Sequence, residues 1–155
     1  MRRAAALVLG LLLSAAAAAE PVVKVVSSKR VVLTPGRPAE WLLGVVVAEG
    51  FHLQANPPSE DYLIPTRLEL AEGFGLKPGR PAYPSGRPYR LPGASTDLSV
   101  YDGRFEIRVP LDASPTALLG EHTLVGKLHY QACDARRCLS PSFVVVELLV
   151  TITRP

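Results

Sequence analysis

The sequence predicts an all-β protein folded as a two-sheet sandwich. Apolar and polar residues alternate along short segments, most clearly where Phe105, Ile107 and Val109 alternate with Glu106 and Arg108. The chain has 15 prolines, and their spread excludes long helices. About seven to nine short strands punctuated by proline and glycine are typical of a sandwich.

The predicted strands follow one another from residue 21 onward. Valine-rich or alternating segments mark them, and turn clusters such as Thr34-Pro35-Gly36 separate them. Trp41 lies in an apolar run and is expected in the core. Residues 73–94 are dense in proline, glycine and arginine, and we expect them to cross one end of the sandwich. The predicted strands are residues 21–27, 30–33, 41–48, 66–70, 105–109, 122–132 and 143–153.

Residues 1–19 have the pattern of an export signal. Arg2 and Arg3 precede a short apolar run, residues 4–13, and small residues follow at 15–19. The apolar run is shorter than the roughly 20 residues that a transmembrane helix needs, so an uncleaved anchor is the less favoured alternative. Cleavage would leave residues 20–155 as one domain in the periplasm or another extracytoplasmic space, where disulfides persist.

Charge and motifs exclude several functional classes. The formal charge of +3 arises from 17 basic and 14 acidic residues. Without Arg2 and Arg3 there are 15 basic and 14 acidic residues, which gives a net charge of +1. No basic run indicates a nucleic-acid partner. The sequence has no Ser-His-Asp pattern and no glycine-rich phosphate loop. We expect a monomer without a metal or a small-molecule cofactor.

The two cysteines, Cys133 and Cys138, lie between the last two predicted strands. Strands joined by a short polar loop form a hairpin, which would place a cysteine at the end of each strand. Residues opposite each other in such a pair have Cα atoms about 4.5–5.5 Å apart, within the range of roughly 4.4–6.8 Å that a disulfide needs.

Alternation also predicts which way the strand before the loop faces. One face, expected in the core, carries Leu124, Leu128 and Tyr130. The other face is more polar, so Cys133 is expected to start from a side with access to solvent or to a covering loop. That second face carries Val125, Lys127, His129, Gln131 and Cys133.

Three interpretations of the cysteine pair are open. A purely structural disulfide across so short a loop would stabilise the fold by about 2 kcal/mol. A metal site with His129 is disfavoured, because this residue lies about 13 Å from Cys133 along a strand. The third interpretation is reversible thiol–disulfide exchange. Arg136 and Arg137 would favour a thiolate at Cys138, whereas Asp134 would oppose ionisation of its neighbour.

Three motifs resemble the N-terminal periplasmic domain of the thiol:disulfide interchange protein DsbD family. Tyr-Gln-Ala-Cys-Asp-x-x-x-Cys-Leu-x-Pro, residues 130–141, is similar to its active-site hairpin. Gly-Phe-His-Leu-Gln-Ala-Asn-Pro at 50–57, followed by Tyr-Leu-Ile-Pro-Thr at 62–66, is similar to a second element. Leu-Ser-Val-Tyr-Asp-Gly at 98–103 resembles the segment that caps the cysteines.

This resemblance implies an immunoglobulin-like sandwich that carries electrons as a thiol:disulfide oxidoreductase domain. A thioredoxin-like protein or a membrane thiol-electron transporter would reduce the domain. The reduced domain would then reduce periplasmic partner proteins, and cytochrome c biogenesis is one process that it would serve. Cys138 would form the mixed disulfide with partners and Cys133 would resolve it. Val100 or Tyr101 would shield the pair.

Some positions depart from the family pattern. His52 and Gln54 fall where relatives often have aromatic residues, so the pocket wall is expected to differ. The family architecture adds a membrane domain and a thioredoxin-like domain, and the sequence ends at Pro155 with neither, so separate proteins are expected to supply electrons. The alternative function is a non-catalytic interaction module with a purely structural disulfide.

Overall fold

All regular elements in the described part of the computed structural model are β-strands, which confirms the all-β prediction. The structure describes residues 20–27 and 30–154, so the signal peptide predicted over residues 1–19 lies outside the described residues. Within those two ranges no helix is long and apolar enough to span a bilayer. The strands are β1 Val23–Ser27, β2 Val31–Leu33, β3 Ala39–Val47, β4 His52–Gln54, β5 Arg67–Leu70, β6 Leu76–Pro78, β7 Arg87–Tyr89, β8 Leu98–Tyr101, β9 Arg104–Ala113, β10 Gly120–Tyr130, β11 Ala132–Cys133 and β12 Ser142–Ile152.

The first sandwich sheet has the strand order β1-β3-β9-β6, with every neighbouring pair antiparallel. Its two long strands alternate strictly between buried and more exposed residues, as a sheet with one covered face requires. Trp41 faces inward and is only 1% exposed, which confirms its predicted place in the core.

The second sandwich sheet has the order β2-β12-β10-β5. Strands β10 and β12 form the predicted hairpin, with a register that runs from Gly120 opposite Ile152 to Tyr130 opposite Ser142. Leu128 and Leu148 from this sheet join the residues of the first sheet in one hydrophobic core. Burial of these side chains is the main favourable contribution to the fold.

A third small sheet, with the order β11-β4-β8-β7, packs at one end and corrects the sequence prediction. The described chain has twelve strands rather than seven to nine. Residues 73–94 were expected to cross the sandwich end without strands, yet they contain β6 and β7. These strands have three residues each, too few for a hydrophobic period to be visible in the sequence.

Candidate functional site

The cysteines lie on an excursion between β10 and β12, not at the ends of those strands. Strand β10 ends at Tyr130, and the chain then moves into the third sheet, where β11 pairs with β4. The Gln131 side chain fixes the base of this excursion, because its Nε2 donates a hydrogen bond of 3.1 Å to the carbonyl oxygen of Leu139. The prediction of one strand over residues 122–132 is therefore wrong at its end.

Cys133 and Cys138 form a disulfide across a small second hairpin. The backbone N–H of Leu139 donates to the Ala132 oxygen at 2.8 Å, and that of Asp134 donates to the Arg137 oxygen at 2.9 Å. The cysteines lie between these two hydrogen-bonded pairs, at the position where antiparallel strands approach most closely. Their Cα atoms are 3.9 Å apart, closer than the 4.5–5.5 Å expected from the sequence.

The two cysteines differ strongly in exposure. Cys133 is 2% exposed, whereas Cys138 is exposed on the outer arm of the hairpin. The expectation that Cys133 continues the polar face of β10 is wrong, because the alternation restarts where the chain changes sheets at Gln131. A partner can therefore reach one residue of the disulfide, while the other is enclosed by the protein.

Asp134 shapes the tip of the cysteine hairpin. Its Oδ1 accepts hydrogen bonds from the backbone N–H groups of Arg136 and Arg137, at 2.7 and 2.8 Å. These two bonds hold the pKa of the Asp134 carboxyl below its usual value, so the carboxylate is charged at neutral pH. The tip thus carries both signs of charge, with the two arginine residues exposed around the carboxylate.

Strand register places a set of side chains on the same face of the third sheet as Cys133. His52 lies directly opposite Cys133, and Gln54 lies opposite Val100 on the next strand. Residues directly opposite in an antiparallel pair share a face, with Cβ atoms about 4.5–5.5 Å apart. We call Cys133, His52, Gln54 and Val100 the cysteine face; all four are buried.

The opposite face of the third sheet anchors it to the sandwich. Ala132 pairs with Leu53, and Leu53 pairs with Tyr101. All three belong to the main hydrophobic core. Apolar packing against the main core therefore holds the third sheet, which carries Cys133, in place.

The two cap candidates from the sequence lie on different faces. Tyr101 points into the core and stacks on Phe105 with ring centroids 4.3 Å apart. Its hydroxyl accepts a hydrogen bond from the Asn56 N–H at 3.0 Å and donates one to the Pro84 oxygen at 2.9 Å. Val100 shares the cysteine face, so the geometry favours Val100 over Tyr101 as a shielding residue.

His52 is surrounded by residues that the sequence analysis did not select. Its ring lies 4.1 Å from the ring of Tyr89. Tyr101 pairs with Leu53 in antiparallel register. Asp102, the residue after Tyr101, therefore lies next to His52, the residue before Leu53. Arg87 Nη1 approaches Asp102 Oδ1 to 3.2 Å as an ion pair, although the atoms are not aligned as a hydrogen bond.

Two polar atoms on the cysteine face lack hydrogen-bond partners. They are Nε2 of His52 and Oε1 of Gln54, both fully shielded from solvent. Burial lowers the pKa of His52, while the charges of Asp102 and Asp134 act in the opposite direction. The imidazole is therefore neutral at neutral pH.

A surface concavity of about 570 Å³ lies beside the hairpin tip. Its lining includes Ala135 of the tip together with Phe51, His52 and Tyr89. The concavity and the cysteine hairpin therefore lie at the same end of the molecule.

No group of three or more histidine, cysteine or acidic side chains suited to a metal ion occurs in the described part of the chain. His129, considered in the metal interpretation, instead contacts Glu69 of β5, with Nε2 and Oε2 3.0 Å apart.

The protein family that matches this chain is consistent with the disulfide found at the site. The family described as "Thiol:disulfide interchange protein DsbD, N-terminal" matches residues 20–149. This match covers most of the chain and places it in the class of thiol–disulfide exchange domains. The chain belongs to the DsbD N-terminal domain family, whose immunoglobulin-like fold and periplasmic location agree with the prediction.

Solved structures give more distant likenesses. The N-terminal periplasmic domain of ScsB from Proteus mirabilis superimposes with a TM-score of 0.53 at 15% identity, over 81% of this chain and 44% of that chain. This chain therefore spans less than half of that structure, and the likeness concerns the fold. A search of curated proteins gives no match.

Two further structures are more remote. AggA, the major subunit of aggregative adherence fimbriae type I from Escherichia coli, has a TM-score of 0.36 at 11% identity over 84% of this chain and 94% of that chain. The PapD-like domain 7 of human CEP192 has a TM-score of 0.39 at 9% identity over 94% of this chain and 99% of that chain. Neither contributes to the functional argument.

Proposed function

We propose that this domain carries electrons between thiol–disulfide partners outside the cytoplasm by reversible opening of the Cys133–Cys138 bond. The observation that carries the proposal is the unequal exposure of the pair, with Cys138 exposed and Cys133 only 2% exposed. An exchange reaction needs a disulfide sulfur that an attacking thiolate can reach, and the exposure difference directs that attack to Cys138. Family membership supports the same chemistry.

The exchange steps conserve atoms and electrons. A donor thiolate attacks Sγ of Cys138, and Cys133 leaves as the thiolate. A second donor thiolate then attacks the mixed disulfide, releases Cys138 as a thiolate and leaves the donor oxidised. Two electrons now reside on the cysteine pair. The reverse sequence, started by Cys138 on an oxidised partner, passes those electrons on and restores the Cys133–Cys138 bond.

We propose thioredoxin-like proteins or a membrane thiol-electron transporter as donors, and periplasmic thiol proteins as acceptors. The concavity beside the hairpin tip supports docking of a protein of this kind, because apolar side chains such as Phe51 and Tyr89 share its lining with Ala135 of the tip. Electron transport towards cytochrome c biogenesis is one process that such a domain would serve.

The hairpin geometry argues against a purely structural disulfide. Backbone hydrogen bonds flank the cysteines on both sides, and the Asp134 carboxylate closes the tip. Since none of these bonds involves a sulfur atom, we expect them to hold the loop after reduction as well. Closing so short a loop also removes little entropy from the unfolded chain.

The double variant Cys133→Ser, Cys138→Ser is therefore expected to fold. Its free energy of unfolding should fall by no more than about 2 kcal/mol, a modest part of the roughly 5–15 kcal/mol typical of a domain. Urea denaturation followed by tryptophan fluorescence measures this, since Trp41 is buried. Reduced wild-type protein is the matched control. A double variant that is unfolded at room temperature would support the structural interpretation instead.

A further inference from the structure

The strand register aligns a thiol, an imidazole and a carboxylate across the third sheet. Cys133 of β11 lies opposite His52 of β4, and Asp102 lies at the end of β8 on the far side of the same histidine. Cys133 and His52 are 2% and 3% exposed. The strand register thus places His52 opposite the enclosed cysteine of the pair.

The Nε2 atom of His52 is buried and has no hydrogen-bond partner while the disulfide is closed. A disulfide sulfur has no proton to donate. Reduction gives Cys133 a thiol proton, on the residue directly opposite His52 in the strand pairing. It therefore places a hydrogen-bond donor on the residue that faces this unpartnered nitrogen.

We propose that His52 accepts the proton of the Cys133 thiol when this cysteine resolves a mixed disulfide, and returns the proton when the disulfide is reduced. This inference rests on the proposed exchange function and extends it to the group that moves the proton. It assigns His52 a role in the resolving half of the reaction, not in the first attack by Cys138.

At the start of the resolving step, a partner sulfur is bonded to Cys138 Sγ, and Cys133 carries its thiol proton. His52 Nε2 takes that proton, Cys133 Sγ bonds to Cys138 Sγ, and the partner sulfur leaves as a thiolate with the electron pair of the broken bond. The imidazolium then releases its proton to the departing thiolate or to solvent.

The charges around His52 suit a histidine that is neutral at rest and briefly protonated. Burial lowers its pKa, so the ring is neutral at rest and has one nitrogen that can accept a proton. The carboxylates of Asp102 and Asp134 stabilise the imidazolium once it forms. The other groups that face this region are Tyr89 and Arg87 of β7, Gln54 of β4, and Glu49, which lines the same concavity.

The test follows oxidation of the reduced full chain by glutathione disulfide between pH 5 and 9. Acid quenching and mass spectrometry separate three species: the reduced chain, the glutathione adduct on Cys138 and the closed disulfide. The His52→Gln variant retains a polar side chain but cannot take up a proton in this range. His122→Gln is the matched control, because His122 lies at the opposite end of β10 and stacks on Phe74.

We expect His52→Gln to form the adduct at the wild-type rate but to resolve it about tenfold more slowly at pH 7, where an unassisted thiol is only a few per cent ionised. The difference should narrow as the pH rises towards 9, because a growing share of the thiol then ionises without the imidazole. His122→Gln should match the wild type throughout. Equal resolution rates and equal pH profiles for wild type and His52→Gln would overturn the inference.

A second measurement uses only the wild-type protein and does not depend on whether the variant folds. NMR titration of the imidazole nitrogens should show a different pKa or tautomer for His52 in the reduced and oxidised states, with His122 unchanged. Identical titration of His52 in both states would also overturn the inference. A wild-type chain that never forms an adduct or a disulfide with glutathione would instead contradict the exchange function itself.

Discussion

Replacing Cys133 with alanine is expected to trap a covalent complex between this domain and an oxidised thioredoxin-like protein. Cys138 is exposed and can attack the partner disulfide, while the enclosed thiol that would release the partner is gone. Non-reducing electrophoresis should show a band at the summed mass that disappears with dithiothreitol. Mass spectrometry should place the linkage on Cys138.

The reciprocal variant is the matched control. Cys138→Ala leaves only Cys133, which is 2% exposed and cannot meet a protein partner without opening of the hairpin. We expect little complex from this variant under the same conditions. Equal trapping by both variants would remove the assignment of roles to the two cysteines. No trapping by either variant, with a competent oxidised partner present, would count against exchange.

Truncating Leu53 to alanine is expected to cause the second large effect. Leu53 is fully buried and connects the third sheet to the main core through Ala132 and Tyr101. A cavity at such a site costs about 2–5 kcal/mol of unfolding free energy. The same truncation should loosen the enclosure of Cys133, since β4 is the strand that pairs with β11.

Leu43→Ala separates these two effects. Leu43 is equally buried but belongs to β3, which lies in a different sheet from the cysteines. Both variants should lose similar stability in urea denaturation. Only Leu53→Ala should speed alkylation of Cys133 in the reduced protein, measured by mass spectrometry under native conditions. Equal alkylation rates in the two variants would show that Leu53 does not support the cysteine site.

The sandwich could be predicted from the sequence because its long strands leave a periodic pattern. In β9, each inward residue from Ile107 to Ala113 is followed or preceded by a polar or exposed one, and the structure buries those inward positions. Trp41 within an apolar run was likewise predictable as core. In both cases burial of one sheet face determines the order of residue types along the chain.

The third sheet could not be predicted, because its strands have only two to four residues. Two residues of β11 cannot show alternation, so Cys133 was assigned to the face that β10 presents. The opposition of His52 and Cys133 is a pairing between residues 81 positions apart, 133 minus 52, and depends on tertiary register. The family resemblance placed His52 on the pocket wall, but nothing in the local sequence indicated that it lies opposite Cys133.

The reduction potential of the Cys133–Cys138 pair tests the central claim most directly. The protein would be equilibrated in glutathione and dithiothreitol buffers of graded potential, trapped by alkylation and quantified by mass spectrometry. We expect reversible interconversion with a midpoint above about −300 mV, in the range of exchanging disulfides. A midpoint below that value, or a pair that no glutathione ratio can oxidise, would contradict the account.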